Sequence, residues 1–153
     1  MTDLAVTVAA TATGLTAGVY LAFSTMVMPA LARTPPNSAL AMMQRINDLA
    51  VRPVFMIVFF GAAVGSAWVL FAARWPDGNL DVRAAIAAVL SLASFVTTVA
   101  FNVPRNRRIA GLRPDSAADR DTWLALSRQW SRGNHVRAVC AGLALVAYLY
   151  RLG

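Results

Sequence analysis

LAVTVAATATGLTAGVYLAFSTMVMPALA, residues 4–32, runs for 29 positions without a charge. A helix needs about 20 apolar residues to cross about 30 Å of hydrocarbon, so this stretch alone is long enough to span a bilayer. Residues 53–73 and 84–104 hold 21 uncharged residues each. A fourth stretch, 138–150, holds only 13. It spans if its helix begins near Asn134 and lets Arg137 and Arg151 snorkel to the interfaces. Lipid offers backbone polar groups no halfway arrangement, which favours a complete span. The expected fold is all-α: one domain, 1–153, forming an antiparallel four-helix transmembrane bundle with spans at about 4–32, 53–73, 84–104 and 134–151.

The composition agrees. Of 153 residues 58% are hydrophobic and 14% charged, about half the charge of an ordinary water-facing domain. All 14 basic residues are Arg and all 7 acidic ones Asp. Net charge +7 raises the question of nucleic acid, but no soluble basic face is visible, so no nucleic-acid partner is expected. Eleven of the arginines instead lie in the connections between stretches one and two and between three and four. Arg74, Arg83 and Arg151 fall on the other side. The positive-inside rule then puts the two long connections in the cytoplasm and both termini outside, in a multi-pass protein of the inner (plasma) membrane. Met1-Thr2-Asp3 lacks a basic n-region, so the first stretch reads as a retained helix rather than a cleaved signal.

The connections carry further structure. Pro76-Asp77-Gly78-Asn79 reads as a plain turn. Residues 37–49 place Leu40, Met43, Ile46 and Asn47 at helical spacing after Pro35-Pro36, which predicts an interfacial helix over the bundle. In the third connection Trp123, Leu126 and Trp130 share a helical face, and Gly133 interrupts before the last span. Gly14-x-x-x-Gly18 and Gly61-x-x-x-Gly65 are candidate ridges where helix backbones approach closely.

Polar residues inside the apolar stretches are the candidates for chemistry, and each has two readings. Tyr20 and Ser24 lie one turn apart; Ser24 either bonds back to the Tyr20 carbonyl or faces a site. At Asn102-Val103-Pro104-Arg105-Asn106, Pro104 ends or kinks the third helix. Asn102 then either satisfies freed carbonyls or joins Asn106 and Arg105 in a donor cluster suited to an oxyanion. Asn134 and His135 are either an N-cap and a helix-start residue, or members of a site in which His135, the lone histidine, is the general base. Metal ligands are scarce. With no Glu, one His and one Cys, no iron triad can be built from His135 and carboxylates near it in sequence, haem would find one histidine, and Met26, Met28, Met42 and Met43 read as packing groups. No metal and no cofactor is expected.

Four segments together carry a resemblance: Gly18-Val19-Tyr20-Leu21-Ala22-Phe23-Ser24-Thr25-Met26-Val27-Met28-Pro29-Ala30-Leu31; Met42-Met43-Gln44-Arg45-Ile46-Asn47; Phe101-Asn102-Val103-Pro104-Arg105-Asn106; and Trp130-x-x-x-Asn134-His135-Val136-Arg137. In order and spacing they resemble the anthrone oxygenase-like family of small four-helix integral membrane proteins, formerly a domain of unknown function. The resemblance implies oxidation of an anthrone to an anthraquinone by O2. It favours catalytic roles for His135, Asn102, Asn106 and Arg137. It also implies a binding role for Tyr20, Ser24, Asn47, Phe101, Arg105, Trp130 and Asn134 around an apolar aromatic small molecule drawn from the lipid bilayer. The rival expectation is a non-catalytic membrane protein that binds or transports a small apolar molecule through the same pocket. The sequence fixes no oligomeric state.

Overall fold

The computed structural model describes residues 3–73 and 80–153. Every regular element among them is a helix: α1 (Asp3–Ala32), α2 (Pro36–Ala50), α3 (Pro53–Ala72), α4 (Val82–Ala110) and α5 (Ala117–Leu152). The turn read at Pro76-Asp77-Gly78-Asn79 lies outside the described residues, as does Arg74. Four of the helices, α1, α3, α4 and α5, are long and apolar enough to cross a membrane. α1 packs on α3 and α5, and α4 closes the ring against the same two.

The bundle is apolar outside and small or polar inside. Leu15, Ile57, Val64, Val96 and Leu143 stand exposed, whereas the interior holds Ala9, Ala10, Ala84, Ala87, Ala88 and Ala144. That inversion suits lipid, where dispersion between close backbones and internal hydrogen bonds replace the hydrophobic drive. Gly65 belongs to such an approach: a Cβ there would stand 3.3 Å from Ala9 Cα, and Gly61 faces Ala12 on the same ridge. The companion pair splits, because Gly14 lies against Leu145 while Gly18 meets nothing within 4 Å. At mid-bundle a hydroxyl chain ties all four spans. Ser66 Oγ donates to Ser91 Oγ (2.8 Å), Thr13 Oγ1 and Ser91 Oγ are 3.0 Å apart, and Tyr148 OH donates to Ser66 Oγ (2.9 Å).

Three spans outrun the bilayer. α5 has 36 residues, about 54 Å at 1.5 Å each, against about 30 Å of hydrocarbon. At one end of the bundle the overhangs of α1, α4 and α5 meet α2 around a second core of Met28, Leu40, Met43, Ile109, Trp123, Leu126 and Trp130. The shared face of Trp123, Leu126 and Trp130 is therefore real, and α2 matches the helix expected at 37–49. Gln44 Nε2 fastens it by donating to the Ile109 and Leu112 carbonyls (3.0 and 2.9 Å) at the end of α4. At the opposite end Arg151 pairs with Asp3 (3.4 Å) and Asp81, and Asp81 caps α4 at the Ala84 N–H.

Two expectations about helix ends need correction. The helix that carries the last span does not begin near Asn134; α5 runs unbroken from Ala117, with Ser116 as its N-cap. Gly133 is no interruption but a point of contact with α4: a Cβ there would overlap the Phe101 ring and stand 2.7 Å from Asn102 Oδ1. Of the two outcomes expected at Pro104, an end or a kink, the end is not found: α4 continues to Ala110. A π-helical turn at Thr98–Asn102 precedes that proline, and an equivalent turn at Phe23–Val27 precedes Pro29. Proline lacks an N–H and crowds the carbonyl four residues back; a wide turn at that carbonyl relieves the clash, so each helix continues.

Two outcomes follow. Gly133→Ala lowers the thermal midpoint of the detergent-solubilised protein, at a cost of about 1–3 kcal/mol from overpacking, whereas Gly142→Ala, with nothing within 4 Å, leaves it unchanged or slightly raised. For Asp81, burial pushes the carboxyl up, but the Ala84 N–H, the Arg151 guanidinium and the Arg83 N–H together hold it below the usual carboxylate range. Its contribution is present above the unfolded carboxylate pKa and is lost as pH falls through the lowered folded value. Thermal melts across the acid range should therefore be flatter for Asp81→Asn than for wild type.

Candidate functional site

The two π-helical turns lie on α1 and α4 where both face α5, and a polar latch joins them. Asn134, fully buried, donates through Nδ2 to the Tyr20 carbonyl (2.9 Å) and to Ser24 Oγ (2.8 Å). Its Oδ1 accepts from Arg137 Nε (3.0 Å) and Nη2 (2.8 Å). The guanidinium also donates to Thr98 Oγ1 (3.3 Å), and its Cζ lies 4.1 Å from the Tyr20 ring centroid and 5.1 Å from that of Trp130. Arg137 is only 7% exposed and makes no ion pair among the described residues. One amide oxygen, a hydroxyl and two π faces hold the charge, which is how a desolvated guanidinium is accommodated without a carboxylate. Ser94 Oγ donates to the Arg137 carbonyl at 3.0 Å and completes the junction.

Ser24 links this latch to the surface. Its Oγ and His135 Nδ1 share a hydrogen bond of 2.8 Å, and the His135 ring is exposed. His135 stands on the wall of a groove of about 680 Å³ between the end of α1 and the first half of α5. Met28, Leu31, Trp123 and Leu124 make its apolar surface; Arg33, Arg128 and Arg132 line it as well. None of these three guanidinium groups bonds to or pairs with another side chain among the described residues. A volume of that size belongs to the range of small-molecule sites. A cavity inside the bundle, between Tyr20, Ser91 and Ser94, measures about 10 Å³, which is room for a water molecule at most.

The residues singled out by sequence thus divide. Tyr20, Ser24, Asn134, His135 and Arg137 form one connected set. Asn102 joins it from α4: its Nδ2 donates to the Trp130 carbonyl (3.0 Å), while its buried Oδ1 has no hydrogen-bond partner. Trp130 Nε1 donates to Asn106 Oδ1 at 2.6 Å. Arg105 turns back on its own helix, donating to the Phe101 carbonyl (2.7 Å) with its Cζ 3.3 Å from the Phe101 ring centroid, and reaches α5 by donating to Gln129 Oε1 (3.3 Å). Asn47, on α2, joins neither group, and its Nδ2 is buried without a partner. Of all these residues only His135 lines the groove. Sequence reasoning did not bring Arg33, Arg128 and Arg132 together as lining residues of one groove. Arg128, Arg132 and His135 recur at intervals of four and three, a helical stripe that was open to detection.

The model of the family described as anthrone oxygenase matches residues 43–147. The chain belongs to the anthrone oxygenase family. The match covers Asn47, Phe101, Asn102, Arg105, Asn106, Trp130, Asn134, His135 and Arg137, and begins after Tyr20 and Ser24. Neither the curated proteins nor the solved structures compared with the chain gave a match. Membership carries an oxygenase-like function at the level of the family.

The latch makes its own test. Asn134→Leu strands the Arg137 guanidinium and lowers stability on the order of 3 kcal/mol, whereas Ser24→Ala costs about 1 kcal/mol or less. Adding Arg137→Met to Asn134→Leu recovers most of that loss in thermal unfolding. A double variant no more stable than the single one assigns the loss to packing instead.

Proposed function

We propose that this anthrone oxygenase family member oxidises an anthrone-like polycyclic phenol with O2 to the quinone, without a cofactor, in the groove beside His135. The observation that carries the reading is His135 itself: it is hydrogen-bonded through Nδ1 to Ser24 and stands on the wall of the groove of about 680 Å³. With Nδ1–H donated to Ser24, Nε2 keeps its lone pair and acts as general base. The acidic methylene of the anthrone, opposite its carbonyl, gives up a proton to Nε2. Negative charge collects on the carbonyl oxygen, where a guanidinium of the groove stabilises it; Arg132, one turn from His135, is the nearest along the helix. The anion passes one electron to O2, the radicals combine to a peroxide at the former methylene carbon, and loss of water leaves the second carbonyl. One O2 is consumed and one water released per quinone.

The latch serves as support. Asn134 and Arg137 hold Ser24 and, through it, the ring of His135; Asn102, Asn106 and Trp130 brace α5 against α4. Trp123 offers a flat face for the ring system, and an apolar substrate reaches the groove from the adjoining lipid. We place the two Arg-rich connections, and with them the groove, on the cytoplasmic side of the plasma membrane, on the positive-inside rule.

Against the alternative of a binding or transport protein, O2 uptake decides. Purified protein in detergent is given a hydroxylated anthrone, and spontaneous autoxidation is subtracted. Wild type consumes O2 above the blank, and His135→Gln loses about 10²-fold or more of that rate. Full turnover by His135→Gln removes the base assignment, and uptake no faster than the blank favours the binding protein.

A further inference from the structure

The groove carries more positive charge than the reaction needs. Three guanidinium groups line it, and none is offset by a carboxylate or tied to another side chain among the described residues. All three are exposed, whereas the half-buried Arg105 and Arg151 and the buried Arg137 each have side-chain or carbonyl partners. The groove charges are also spaced. Along α5, Arg132 stands about 4.5 Å and Arg128 about 10.5 Å from His135 at 1.5 Å per residue, all on one face. The second distance is roughly the long axis of three fused rings. Arg33 comes from the end of α1, which forms the facing wall. Between the charged positions the surface is Met28, Leu31, Trp123 and Leu124.

An apolar floor with one cation beside the base and others two turns away fits a molecule that is flat, apolar and acidic at its far end. Resting on the reading of this groove as the reaction site, we infer that its substrate is a polycyclic aromatic acid, whose carboxylate is held by Arg128 and Arg33 while the reacting ring lies at Arg132 and His135. Arginine suits that task because its planar fork pairs with both carboxylate oxygens and is weakly hydrated, so it surrenders water cheaply in a half-apolar groove. The charge also sets the direction of binding. Anchoring the acid at Arg128 turns the opposite end of the ring system to His135, so Arg128 and Arg33 are specificity residues rather than catalytic ones.

The test reads binding, independently of turnover. Quenching of tryptophan fluorescence is titrated with anthraquinone-2-carboxylate and with the neutral 2-(hydroxymethyl)anthraquinone, on protein in phosphatidylcholine nanodiscs. The acid should bind about tenfold or more tightly than the neutral compound. Arg128→Gln and Arg33→Gln together should erase that preference while leaving the neutral compound's affinity within about threefold. Retention of the preference in Arg128→Lys at reduced strength would be a further mark of charge recognition. Equal binding of the two compounds overturns the inference, and so does an acid preference that survives the double substitution. If phosphatidylglycerol nanodiscs abolish binding of the acid, the groove is a site for lipid phosphate and the inference also fails. A kept acid preference in protein that shows no O2 uptake upholds the ligand class and removes the oxygenase reading. Uptake without acid preference does the reverse.

Discussion

A guanidinium without a carboxylate, inside a bundle that faces lipid, is the constraint from which the rest of the structure follows. Arg137 cannot snorkel out, and the acidic residues of this chain, all Asp, lie in connections and at helix ends. Its charge therefore rests on Asn134 Oδ1, taken twice, on Thr98 and on the ring of Tyr20. Once Oδ1 is committed, the amide nitrogen of Asn134 is left to donate, and its two hydrogens find the Tyr20 carbonyl and Ser24 Oγ. That demand locks the π-helical turn of α1 against α5. A side chain at Gly133, next along α5, would collide with the matching turn of α4. In a medium that supplies no water, each of these groups has to be satisfied by another protein group, and satisfying one determines the next.

Much of this was legible in the sequence, and what was not had physical reasons. Charge-free runs showed the four spans because hydrocarbon thickness sets a length that composition must meet. Span four was the exception. Its Arg-, Asn- and His-laden first half reads as a separate helical connection broken at Gly133, because the pairing that lets these residues continue one helix comes from α1 and α4, far away in sequence. The wide turns were hidden for a related cause. Pro104 was visible as a disruption, but whether proline ends a helix or is absorbed depends on what packs beside it. Pro29, two residues beyond an equivalent turn, lies within the first span as read from sequence, and both prolines stand near the latch.

The site was half legible. Ser24, Asn134, His135 and Arg137 stood out because polar residues in apolar stretches are costly. Thr13, Ser66 and Ser91 did not, since single hydroxyls in Ala-rich helices look like filler until the register brings them within 3.0 Å. Arg33, Arg128 and Arg132 were seen only as topology charges. Counting arginines by side says where the chain turns, not which of them share a groove.

The location of chemistry follows from volume and from mechanics. Six of the sequence-chosen residues, Tyr20, Ser24, Asn102, Trp130, Asn134 and Arg137, are packed into the helix junction, and the cavity described beside Tyr20 has room for a water molecule at most. That cavity is too small for a tricyclic molecule, which is why the proposal above turns to the groove. A base at a surface groove must still be held in place, because an unrestrained imidazole would spend little time aligned with the methylene proton. Ser24 does the holding, and Ser24 is itself fixed by Asn134, whose other atoms carry Arg137. On the proposed reaction, the buried charge acts through position. Loosening it should misplace His135 without touching the groove, so Arg137→Met would lower turnover while leaving the groove's affinity for an aromatic ligand nearly unchanged.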